Sequence, residues 1–322
     1  MASTWIHQWG SGGGDTLNSQ TFFFPLVGGG ALWGTSAEVQ TLVRDTYTGS
    51  KLYARSPSNA SNNVTTIRTL KDGITNGNQS VTFAAAETGT KEDTSNTDSM
   101  LDGSVWNYKV VNSGLGNFVI SILSVLLEHS GTGTFIMGAN SPTGGGVSQA
   151  ENVLNYEPLT GAVGTNTTEL KVTYTMRVAS TFRSLRIYVN SNSIGAATVA
   201  RTRKNEVNGA QVATITASTT GAFEDTTNSD TVTAGEKWNY LVDSTAAKMG
   251  TLFWTALQIE STAVGKVLQN CRGTGLSVTA DRYFGGEGFG TEAGSETSTQ
   301  MKARVALAIS NMFTAVGTNT AT

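Results

Sequence analysis

The chain has 322 residues, of which 38% are hydrophobic and only 14% charged, with 37 glycines and a net charge of -3. That near-neutral balance gives no electrostatic reason to expect nucleic acid or an anionic membrane surface as a partner. A single cysteine, Cys271, excludes an intrachain disulfide framework.

The opening MASTWIHQWGSGGG lacks a basic region followed by an apolar one, so no secretory signal is expected. Residues 1–34 read as a glycine-rich N-terminal arm. Trp5, Trp9 and Trp33 stand there without a visible local core, which marks them as interface residues that dock onto another surface.

Residues 35–150 read as a first module of short strands. EVQTLVRD and KLYARS begin it, and further strands lie at Val64–Leu70, Ser80–Ala84, Val105–Val111 and Phe118–Leu127, separated by Gly, Asn, Asp and Ser clusters. The run FVISILSVLL is far too short to span a membrane and suits a doubly buried strand.

A second module over 151–282 repeats the pattern. KVTYTMRV from Lys171 to Val178 alternates as a half-buried strand, with Val172, Tyr174, Met176 and Val178 on one face. SLRIYVN follows, with Leu185, Ile187 and Val189 alternating against Arg186, Tyr188 and Asn190. The repetition is literal. Arg68–Val110 returns as Arg201–Val242 with about 20 identical positions and one single-residue gap. A duplicated binding or building module is commoner than a duplicated catalytic domain, so the repeat points to an assembly part.

The phase of the repeat extends to both ends. GGGDTLNSQTFFFPLVGG resembles GGGVSQAENVLNYEPLTGAVG, with Pro25 and Leu26 on Pro158 and Leu159, and GTGLSVTADRYFGG returns to the same linker. Residues 283–322 therefore read as a partial third copy. Its strand QMKARVALAISNMF carries Met301, Val305, Leu307 and Ile309 on an interface face, expected to add to a sheet edge in this chain or a neighbour. The expected fold is all-β: two tandem jelly-roll or β-sandwich domains, an N-terminal arm and a C-terminal extra strand.

Few residues offer chemistry, and no catalytic set is assigned. His7 and His129 are the only histidines and neither recurs in the other copy, which speaks against a Ser-His-Asp, Cys-His or zinc site. GGEGFG lacks the helix a phosphate loop needs. Asp93, Asn96 and Asp98, with Asp225, Asn228 and Asp230, are spaced closely enough to surround calcium, the one cofactor considered. A turn in which these side chains cap the backbone is the preferred reading. Glu92 with Asp93, or Glu224 with Asp225, would have to serve as a glycosidase pair, but neighbours on a strand face opposite ways. Trp106 with Tyr108, and Trp238 with Tyr240, share a face in each WNY and read as core rather than as a sugar platform.

The ordered string of PL, EV…VR, the LY and IYVNSN segments, NG, EDT and WNY resembles modules in structural proteins of tailed bacteriophages. Pro25, Leu26, Glu38, Val39, Arg44 and Leu52 carry it in copy one, and Pro158, Leu159, Glu169, Arg177, Leu185, Tyr188 and Asn190 in copy two. The resemblance implies a non-enzymatic jelly-roll component of the virion exterior, made in the host cytoplasm. A capsid decoration or cement protein is the first expectation; a tail-fibre or adhesin protein holding a host-surface glycan is the alternative. Implied partners are further copies of itself, as a homotrimer, and virion proteins such as the major capsid protein, with no nucleic acid and no membrane.

Overall fold

The structure, a computed structural model, describes residues 3–28, 34–129, 135–141, 146–162, 166–246, 249–262, 271–273 and 288–290; for 3–15, 162, 171, 271–273 and 288–290 it describes the backbone alone. The first module contains β1 (Ser3–Asn18), β2 (Thr21–Pro25), β3 (Thr41–Leu42), β4 (Tyr47–Ser56), β5 (Ser58–Asn59), β6 (Thr65–Lys71), β7 (Thr75–Phe83), β8 (Gly89–Glu92), β9 (Thr97–Met100), β10 (Val105–Asn112) and β11 (Asn117–His129). Its two sheets run β1-β11-β4-β8 and β2-β10-β6-β7, with β9 continuing the edge on β4. Chain neighbours alternate between sheets at both ends of the run, the winding of an eight-stranded jelly roll.

The second module repeats it with β12 (Phe135–Asn140), β13 (Val147–Ala150), β14 (Leu154–Glu157), β15 (Gly161–Ala162), β16 (Tyr174–Thr175), β17 (Ser180–Asn192), β18 (Thr198–Lys204), β19 (Val207–Ile215), β20 (Gly221–Val232), β21 (Lys237–Asp243) and β22 (Thr251–Ser261). Its sheets run β15-β12-β22-β17-β20 and β14-β21-β18-β19. A short parallel pair, β23 (Cys271–Gly273) with β24 (Gly288–Gly290), follows.

Alternation places the cores. Phe22 and Phe24 of β2, Phe83 of β7, Trp106 and Tyr108 of β10 and Phe118 of β11 fill the first sandwich, and Phe83 meets Phe118 with ring centroids 5.2 Å apart. In the second, Trp238 is fully buried and stacks on Phe182 at 4.8 Å, beside Tyr240 and Trp254. Both WNY pairs are thus core, and neither forms an exposed platform.

Three expectations change. The segment expected as an arm is not detached: β1 pairs along β11, with Trp5 opposite Leu127 and Trp9 opposite Leu123, and β2 pairs with β10. The boundary between modules falls before Phe135 rather than after 150, because β12 and β13 both pair with β22. Period-two patterning shows that a strand exists but not which distant partner it joins, and that partner sets domain membership. The expected strand Lys171–Val178 reduces to β16, preceded by a 3-10 turn at Glu169–Lys171. Val172 and Met176 are buried, but only Tyr174 and Thr175 find ladder partners on β21. Trp33, Met301, Val305, Leu307 and Ile309 lie outside the described residues, as does the expected C-terminal strand.

Replacing Trp238 by Ala removes one of the two fully buried indole rings of its module and should lower stability by about 3–5 kcal/mol in urea unfolding. Trp238→Phe, which keeps a ring against Phe182, should cost clearly less.

Candidate functional site

The acidic clusters are built into the scaffold. Asp98, on the β9 edge of one sheet, reaches the other sheet: its carboxylate accepts from Thr69 Oγ1 at 2.5 Å, the Asn78 backbone N–H at 2.6 Å and Gln79 Nε2 at 3.0 Å. Asp230 does the same in copy two, accepting from Thr202 Oγ1 at 2.6 Å, Ala210 N–H at 2.7 Å and Gln211 N–H at 3.3 Å. The glutamines pass the connection on, since Gln79 Oε1 accepts from Leu52 N–H at 2.8 Å and Gln211 Oε1 from Leu185 N–H at 3.1 Å.

Glycine makes room for this contact. A Cβ on Gly77 would lie 2.0 Å from Thr69 Oγ1, and one on Gly209 would lie 2.3 Å from Thr202 Oγ1. The ladder also skips at these threonines, between Arg68 and Leu70 and between Arg201 and Arg203.

Asp93 and Asp225 form the second layer. Asp225 accepts from Val212 N–H at 2.8 Å across the sheets, and from Thr227 N–H, Asn228 N–H and Asn228 Nδ2 at 2.9–3.0 Å within its own turn. Asp93 takes Ser80 N–H at 2.9 Å with Ser95 and Asn96 in the same manner. The six residues expected as a calcium set therefore do not converge as ligands. The carboxylate oxygens face N–H and O–H donors, and the Asn96 and Asn228 amides donate to the aspartates instead of presenting oxygen. Among the described residues no group of three His, Cys, Asp or Glu side chains is placed to hold a metal ion.

Burial alone would raise the Asp225 carboxyl, but the donors outweigh it and bring it down to about 2. Asp93 is lowered too, its burial likewise outweighed by donors led by Asn96.

A different constellation lies where the modules meet. The strap from Glu38 to Arg44 crosses the outer face of β17 and β22. Thr255 Oγ1 donates to Glu38 O at 2.7 Å and Arg186 Nη1 to Gln40 O at 3.1 Å. Gln258 grips Leu42 on both sides, accepting its N–H at 3.0 Å through Oε1 and donating through Nε2 to its carbonyl. Arg44 forks onto Glu224, with Nε–Oε1 at 2.9 Å. Burial lowers the Arg186 guanidinium below its usual range, and Glu224 opposes that.

Beside the strap is a cleft of about 250 Å³ lined by Arg44, Asp102, Arg183, Ser184, Thr226 and Glu260. The Glu260 side chain is 1% exposed; Oε2 accepts from Arg183 Nε at 3.1 Å, while Oε1 has no hydrogen-bond partner among the described residues. Burial pushes the Glu260 carboxyl up to about 7 against the pull of Arg183. Sequence reasoning missed this site. Its one visible signal is a carboxylate inside the apolar run FWTALQIES, where copy one carries Leu126.

No family model matches the chain, and no curated protein matches it. Among solved structures, a Paenibacillus xanthan lyase is similar at 10% identity over 80% of this chain, with a TM-score of 0.23. The chain spans 25% of that protein's length. A superposition that loose carries no argument about activity.

Two expectations follow from these shifts. Asp225 ionises more easily folded than unfolded, so its stabilisation is complete above about pH 4 and lost as the pH falls toward 2. Asp225→Asn should flatten acid unfolding in that window. Glu260 has the opposite sign: the folded state holds its proton more tightly, so its contribution falls as pH rises from about 4.5 through 7. Glu260→Gln should remove that slope from thermal midpoints measured across the range. Independently, Asp230→Ala leaves several buried donors without a charged acceptor and should cost about 3 kcal/mol or more in urea unfolding.

Proposed function

We propose that this chain is a non-enzymatic structural component of a virion, a decoration or cement protein on the outside of a capsid. The observation that carries the reading is the strap. Module two holds the main chain of Glu38–Leu42 through Thr255, Arg186 and Gln258, and the Arg44–Glu224 fork locks its end. Such contacts transmit load from module to module along the backbone, which is what a cement protein must do across neighbouring subunits. The duplicated residues support the same reading: Thr69, Gly77, Gln79, Asp93 and Asp98, with Thr202, Gly209, Gln211, Asp225 and Asp230, join the two sheets of each sandwich. The resemblance to tailed-phage structural modules supplies the virion setting.

The junction cleft favours a second reading, a module holding a host-surface glycan. Arg183 beside the unpaired Glu260 Oε1 offers a donor and an acceptor side by side, the pairing a vicinal diol uses.

The test is direct. Purified protein added to expanded, empty phage capsids should bind and raise their melting temperature. Binding to glycan arrays or host cells, with no effect on capsids, would overturn the cement reading in favour of the glycan one.

A further inference from the structure

The two copies share one scaffold beside the junction and fill it differently. At the same point of the fold, β4 and β17 turn through the left-handed region, at Lys51 with φ 55° and at Ser184 with φ 58°. The residue before each turn has a partner across the ladder. Ser50 lies opposite Leu126 of β11, Arg183 lies opposite Glu260 of β22, and the ladder shifts register beside each pair. Ser50 with Leu126 and Arg183 with Glu260 are therefore equivalent pairs.

The fold does not need the charges. Copy one builds the same bulge and the same pairing from a hydroxyl and an aliphatic side chain, whereas copy two buries a carboxylate there. A buried ion pair gains little over an apolar pair of similar volume, and an unpaired oxygen adds a further cost. Glu260 carries that cost. Arg183 Nε donates to Oε2, Oε1 has no hydrogen-bond partner among the described residues, and burial pushes the carboxyl up to about 7. The Glu260 side chain leaves β22 on the outer face with Gln258, alternating with the core residues Leu257 and Ile259, and the cleft lies on that face.

Both modules complete the cleft. Module two supplies Arg183, Ser184, Thr226 and Glu260, and module one supplies Arg44 and Asp102. Asp102 is tied to the strap, because Val43 N–H donates to Ser104 O at 2.9 Å and Gly103 N–H to Val43 O at 2.8 Å. The lining restricts what can enter. A volume of about 250 Å³ falls below the roughly 300–1,000 Å³ of pockets for drug-sized ligands, which suits one small ring. Asp102 and Glu260 oppose an anion, and Arg44 and Arg183 oppose a cation. Two adjacent hydroxyls meet neither penalty, since one donates to Glu260 Oε1 while the other accepts from the half-exposed Arg183 guanidinium.

We propose that the junction cleft binds an uncharged vicinal diol, one ring of a neutral sugar, held by Glu260 and Arg183 of module two against Asp102 of module one, so that the ligand binds only while the modules are docked. The proposal rests on the glycan reading of this cleft and narrows it to a neutral ring and a site that neither module has alone. Ligand and strap then stabilise each other, because a ligand that binds only the docked state favours it by mass action.

Titrating the full chain with methyl glycosides of glucose, galactose and mannose, and with glucuronic acid as an acidic control, tests this by ligand-observed NMR. A neutral glycoside should bind saturably and glucuronic acid should not. Arg183→Ser with Glu260→Leu gives copy two the pair with which copy one already folds, and should weaken binding about tenfold or more. Binding confined to glucuronic acid, or unchanged in this double variant, overturns the proposal and leaves the glycan reading standing. No binding of these probes overturns the proposal, and glycan arrays that stay blank as well overturn the reading beneath it. Hydrogen exchange on the unmodified chain does not depend on the variants folding. Saturating glycoside should slow exchange of the Leu42 amide, which Gln258 holds across the junction, and an unchanged rate overturns the shared site.

Discussion

A buried carboxylate bridging two sheets is the constraint on which each module rests. Asp98 and Asp230 start on an edge strand and end among the donors of the opposite sheet, and the neighbouring glutamine carries the connection to the strand beside that edge. A sandwich held only by apolar contacts can slide, because hydrophobic burial has no direction. A charged acceptor surrounded by fixed donors cannot slide without stranding them. The register of sheet on sheet is therefore set by polar geometry, and the aromatic core packs within it.

The same economy governs the junction. Module two reads the strap largely through its backbone: Thr255 and Arg186 donate to carbonyls, and Gln258 imitates a neighbouring strand by taking one N–H and one C=O of the same residue. Arg44 adds a side-chain contact through its fork onto Glu224.

Much of this was legible in the sequence. The tandem architecture followed from the Arg68 and Arg201 repeat, the strand at Phe118 from its continuous apolar run, and the core role of Trp106 and Trp238 from the face each shares with a tyrosine. The turn role of Asp93 and Asp225 followed from the tendency of such side chains to cap nearby N–H groups. What stayed hidden depends on distant pairing. Nothing local tells Phe135–Asn140 that its partner is β22, or Ser3–Asn18 that it lies along β11. The cross-sheet reach of Asp98 was hidden for the same reason, although Gly77 and Gly209 marked the positions where a side chain would not fit. The junction was least legible, because Glu260 has no counterpart in copy one and Arg186 looked like an ordinary outward strand residue.

The two-handed hold of Gln258 on Leu42 has an implication for how such chains can be built. A side chain that recognises only an extended main chain places almost no demand on the identity of what it holds. Module order, module number and strap composition then become separable choices. An engineer could exchange one sandwich for another, or vary the strap for solubility, provided that the extended main chain at Leu42 and the arginine at its end are kept.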